Sequence, residues 1–140
     1  MKTEQLISKK KVFTSGSGKK FRYDFVPALA NKVYIEYFTL SSEIAPELVK
    51  HGRMLVDKKV RKEILGNIDK LNEYNKEAEV LKEQADYANS LGMKIIMMVL
   101  ERNEQDFEVT EDNVLLEMDT TDMNTFIQAC CVASPDEKKR

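Results

Sequence analysis

A chain of 140 residues with 42% apolar and 33% charged side chains is long enough to bury a hydrophobic core without disulfides or a structural metal. It is also too apolar for a disordered polymer, and no internal repeat or Pro/Gly-rich linker divides it, so a single domain over 1–140 is expected. The net charge of −2 excludes a wholesale nucleic-acid binder. No apolar run approaches the roughly eighteen residues that span a bilayer, or the length of a secretory leader, which makes the cytoplasm the expected compartment and a membrane an excluded partner.

Within that near-neutral total the charge is unevenly placed. Residues 1–23 carry a net +6 and residues 101–123 a net −8. Such segments attract each other within one fold or head to tail in a homo-oligomer, and salt weakens either contact.

In chain order, Lys10 to Phe25 reads as a β-hairpin. Phe21, Tyr23 and Phe25 alternate with Arg22 and Asp24, the period of a strand with one buried face, and Ser15-Gly16-Ser17-Gly18 is the turn. A lone ribbon is marginal in water, so the three aromatics are expected to anchor it to the helices. A helical body over 27–133 follows. Pro27 suits a first helical turn, and Leu29, Val33, Tyr37 and Leu40 recur at helical spacing, although the β-branched and aromatic residues in Val33-Tyr34-Ile35 keep a strand open there. Ser41, Ser42, Glu43 and Pro46 signal the start of a second helix. From Leu48 to about Ser90 one apolar stripe is expected through Leu55, Ile64, Ile68, Leu71, Ala78, Leu81 and Ala85, with Gly66 bending or dividing it. Gly92 reads as a C-cap, and Met93 to Leu100 as a buried helix, with a strand as the alternative. Thr110 should cap a short helix through Met118 and Thr121 a last one, and 134–140 should be a flexible tail. The fold class is therefore mainly α with an N-terminal β-hairpin, an α+β chain closing as a compact helical bundle.

Catalytic chemistry is hard to place. His51, the single histidine, has no Cys or His beside it for a metal or a triad. Gly16-Ser17-Gly18-Lys19 lacks the earlier glycine and the following Ser or Thr of a phosphate loop. The acidic series from Glu101 to Asp112 lacks the spacing and central glycine of a calcium loop and reads as a solvated connector. Cys130 and Cys131 read as small apolar residues. No catalytic residue, cofactor site or metal site is assigned, and no enzyme activity is expected.

Two features suit binding better. Lys50, Arg53, Lys58 and Arg61, with Lys59 and Lys62, form a basic stretch that could meet nucleic acid or an acidic protein, but without aromatics to stack bases a solvated face is the simpler account and nucleic acid is not the favoured partner. Met93, Met97 and Met98 carry thioethers that adapt to varied apolar partners, against the plainer role of core packing.

In layout, a strand pair ending in Lys20-Phe21-Arg22-Tyr23-Asp24-Phe25, a helical body, the segment Val109-Thr110-Glu111-Asp112-Asn113-Val114-Leu115-Leu116-Glu117-Met118 and a closing helix from Thr121, the chain resembles the tail-assembly chaperones of long-tailed bacteriophages and prophages of Gram-positive hosts. That resemblance implies a non-catalytic protein of the host cytoplasm that keeps the long, hydrophobic tape-measure protein soluble until tail-tube subunits polymerise around it. It also implies a second, extended form made by ribosomal frameshifting. The alternatives are a small nucleic-acid-associated regulator using 50–62 and a structural phage head or tail component.

Overall fold

The computed structural model describes residues 11–132. Lys10 at the start of the expected hairpin, the end of the helical body at 133 and the expected tail at 134–140 lie outside them. The described chain is mainly α with an N-terminal β-hairpin. Strands β1 (Val12–Thr14) and β2 (Lys20–Arg22) precede helices α1 (Ala28–Met54), α2 (Lys58–Leu65), α3 (Ile68–Glu101), α4 (Glu111–Glu117) and α5 (Thr120–Cys131). No described helix is long and apolar enough to cross a membrane. Two compact units are present, one from 11–35 with 91–132 and the other from Glu36–Ser90.

In the first unit, β1 and β2 pair antiparallel with Phe13 opposite Phe21. The Ser15 N–H donates to the Lys19 carbonyl at 2.9 Å and the Gly18 N–H to the Ser15 carbonyl at 3.0 Å. Gly18 sits at φ 91°, a conformation that a side chain would strain. The Gly-Ser-Gly run is thus a hairpin turn. It docks on the C-terminal helices: the Gly16 N–H donates to the Asp122 carboxylate at 3.1 and 3.2 Å, and the Ser17 hydroxyl to Glu117 Oε2 at 2.7 Å.

Phe21 is fully buried, its ring centroid 5.4 Å from Phe107 and 6.3 Å from Phe126. Phe13 and Tyr23 meet Phe126 edge-on at 5.5 and 5.6 Å. Ile95, Ile96, Val99, Leu100 and Val114 complete this core with no exposure. Phe25 departs from the expected anchor role, being 49% exposed with the Arg102 guanidinium over its ring at 5.2 Å. Among the described residues the backbone bonds of the hairpin run only as far as the Tyr23 N–H on the Lys11 carbonyl at 3.0 Å, so strand alternation no longer sets the side on which Phe25 falls. Beyond the ladder, side-chain amides take over. Gln105 accepts the Arg22 N–H at 3.0 Å and donates to its carbonyl at 2.9 Å, and Asn103 does the same for Phe25 at 3.0 and 2.7 Å.

Residues 33–35 are helical, as favoured, but the expected start of a new helix at Ser41–Pro46 is absent. α1 runs through Pro46, and both Pro46 and Ser42 are exposed. With both residues exposed, water can reach this turn and hydrate the carbonyl that loses its N–H partner. The helix ends instead at Met54, and Asp57 starts α2 by accepting the Lys59 and Val60 N–H groups at 2.9 and 3.2 Å. Gly66 divides α2 from α3 as anticipated. Its N–H reaches the Lys62 carbonyl at 2.9 Å, and a Cβ there would lie 2.9 Å from that same oxygen.

Three further expectations change. Ile68, expected in the apolar stripe, is 68% exposed at the first position of α3. Gly92 is no C-cap, since it lies buried inside α3 and Gly18 alone among the described glycines has positive φ. The last helix is capped by Asp119 rather than Thr121, through a reciprocal box in which the Asp119 side chain accepts the Asp122 N–H at 2.7 Å and Asp122 accepts the Asp119 N–H at 3.1 Å. A carboxylate there also suits the positive end of the helix dipole. Thr110 caps α4 as expected, accepting the Asn113 N–H at 3.1 Å.

The uneven charge is used inside this unit. Lys19 pairs with Asp106 at 3.0 Å and Arg22 approaches Glu104 at 3.9 Å. The Lys19 ammonium holds the Asp106 carboxyl below its ordinary value, first by hydrogen bonding and then by charge. The connector acids Glu101, Glu104, Asp106, Glu108, Glu111 and Asp112 are all exposed.

Candidate functional site

The methionines divide. Residues 93–100 lie in the last turns of α3, where Ile95, Ile96, Val99 and Leu100 wall the first unit's core. Met93 faces the same way and is only 8% exposed. Met97 and Met98 are half-buried and keep partial access to solvent.

The basic residues divide as well. Lys50 and Arg53 lie in the last turns of α1 and Lys58, Lys59, Arg61 and Lys62 in α2, with the break at 55–57 between them. All six are exposed, but no single helix carries them.

A feature that neither set announced is a cleft inside the Glu36–Ser90 unit, with a volume of about 650 Å³. One wall is Glu47, Lys50, His51 and Met54 of α1. The other includes Glu73, Glu77, Val80, Leu81 and Gln84 of α3. Both sets recur at three- and four-residue spacing, so each wall is one helix face. Met54, Val80 and Leu81 give it an apolar stretch between charged rims. His51 ties the walls together, its ring stacked on Tyr74 at 3.9 Å and its Nε2 3.0 Å from the Tyr74 carbonyl. That contact requires Nε2 to carry the proton. In the same unit the Tyr87 hydroxyl donates to Glu36 at 2.7 Å, and this bond, followed by the Glu36 charge, raises the phenol above its ordinary range.

The unit holding this cleft buries little. Its buried apolar residues are Ile44, Ile64 and Ala88, while Val49, Val56, Leu65, Ile68 and Val80 are each more than half exposed. Full burial of one such aliphatic side chain is worth about 1.5–3 kcal/mol.

Among the described residues no three His, Cys, Asp or Glu side chains gather into a metal set. Burial pushes the Cys130 thiol up to about 12 and the Cys131 thiol up to about 11, so both stay protonated and poorly nucleophilic at neutral pH. Cys131 Sγ lies 4.0 Å from the Ala30 carbonyl, in keeping with packing of α5 on the start of α1. No family model, curated protein or solved structure matches the chain.

Proposed function

We propose that this is a non-catalytic binding protein that holds an apolar, helical client, and that the client is the tape-measure protein of a phage tail, as the resemblance to tail-assembly chaperones implies. The observation that carries the reading is the cleft of the Glu36–Ser90 unit, whose lining includes Met54, Leu81 and the half-exposed Val80. Two helix faces flanking a trough are the geometry that accepts an amphipathic helix laid lengthwise. From Glu73 to Gln84 the α3 wall runs roughly 16 Å at the helical rise, or about three turns of a bound helix. Charged rims beside the apolar stretch keep the empty surface from collapsing on itself and leave affinity to the buried stripe. The proposed binding surface is this trough rather than the methionines.

Co-expression with the tape-measure protein tests it. The unmodified chain should keep the client soluble, and Val80→Asp, at a site 53% exposed where a carboxylate stays solvated, should abolish most of that effect while leaving helicity unchanged. A folded V80D protein that still solubilises the client removes the cleft from the account. The alternative of a nucleic-acid partner draws on the exposed cations of α2. It requires binding at physiological ionic strength that falls steeply with salt and is lost in Arg53→Ala/Lys58→Ala/Arg61→Ala.

A further inference from the structure

α2 carries a second surface that shares no residue with the cleft. Lys58, Arg61, Lys62 and Leu65 fall at i, i+3, i+4 and i+7 and therefore share one helix face, while Ile64 is buried on the other side. All four are exposed, Leu65 to 60%. Of the nearby acids, Asp57, which caps the Lys59 and Val60 N–H groups, sits at one end of that face and Glu63 lies off it by helix periodicity, so the three cations outnumber the acid beside them. The result is a leucine standing in water among three like charges.

Its counterpart is in the first unit. On α4, Glu111, Asp112, Leu115 and Leu116 point away from buried Val114 and are exposed, the leucines to 55% and 78%. Leu115 and Leu116 wall a shallow pocket of about 260 Å³ whose lining also includes Glu117, Asp119 and Asp122. One face is thus a leucine beside three cations, and the other two leucines beside the Glu111 and Asp112 carboxylates.

We propose that the α2 face of one copy docks on the α4 face of a second copy, with Leu65 seated against Leu115 and Leu116. Joining the faces removes all three leucines from water and sets each cluster of like charge opposite its complement, which favours the contact and fixes its register. The two faces differ, so the contact is heterologous. Each copy in a pair keeps one unused face, so the pair presents one of each kind, and association propagates into a ring or an open array rather than stopping at a two-fold dimer. This surface is independent of client binding, because it uses neither cleft wall.

A charge-swap experiment decides it. The full chain, measured by sedimentation or light scattering at low salt, should show a mass that rises with concentration. It should return to a single chain at about 1 M salt, where screening acts over roughly 3 Å. Lys58→Glu/Arg61→Glu/Lys62→Glu should weaken association roughly tenfold or more, and so should Glu111→Lys/Asp112→Lys. Mixing the two variants should restore it, since each reversed face then meets an opposite one. All altered positions are exposed, and circular dichroism verifies that both variants remain folded. A wild-type chain that stays single at every concentration overturns the proposal, as does association unchanged in either variant or a mixture that restores nothing.

Discussion

Phe21→Ala should lower the stability of the first unit by about 3–5 kcal/mol, the range for truncating a large aromatic in a core that cannot collapse around the gap. The ring has no exposed surface and lies among Phe13, Phe107 and Phe126, so its loss removes edge-to-face contacts as well as buried area. For a unit of this size that shifts the thermal midpoint by well over ten degrees, on the scale of about 4–8 °C per kcal/mol. Phe25→Ala is the matched control. Its ring is half exposed and meets Arg102 at 5.2 Å, an exposed cation–π contact worth about 0.5–1 kcal/mol. Thermal unfolding of the two variants should therefore differ severalfold in effect, and equal losses would contradict the placement of the hairpin.

Met93→Asp should have a comparable or larger effect. The side chain is buried beside Ile95, Ile96 and Val99 on the core face of α3, and truncation alone costs about 2–5 kcal/mol. A carboxylate adds a desolvation penalty with no partner to offset it, so the variant either keeps its proton or opens the unit. Loss of near-ultraviolet dichroism and amide dispersion is the expected readout. Met97→Ala and Met98→Ala, at half-buried positions, should leave the fold in place. A well-folded M93D protein would mean that this methionine reaches solvent and would return it to the candidate binding surface.

These contrasts mark where the chain is legible from its residues and where it is not. The hairpin, the Gly66 division, the helical 33–35 segment and the Thr110 cap each follow from local chemistry: a turn needing positive φ, a glycine with no room for Cβ, or a hydroxyl at an N-cap. Pro46 and Gly92 mislead because their usual meaning depends on surroundings. Proline breaks a helix at greatest cost where the orphaned carbonyl is buried, and here Ser42 and Pro46 are both exposed, whereas glycine ends a helix by taking up positive φ, which Gly92 does not do. Asn103 and Gln105 close the edge of β2 from about eighty positions away in sequence, a relation no local pattern encodes. The cleft has the same character, because Glu47–Met54 and Glu73–Gln84 are unremarkable amphipathic stretches until the turn through α2 sets them side by side. The incomplete burial of that unit was hidden for the opposite reason. A regular apolar stripe predicts a buried face, yet Ile68, at the first position of α3, remains exposed.

The account rests on the Glu36–Ser90 unit taking up the client, and amide hydrogen exchange with and without a tape-measure segment tests that most directly. Covering the trough should slow exchange along Glu47–Met54 and Glu73–Gln84, since opening of these helices would then require release of the client. The first unit should show little change. Protection confined to Met93–Leu100, or no protection anywhere at saturating client, would contradict the assignment.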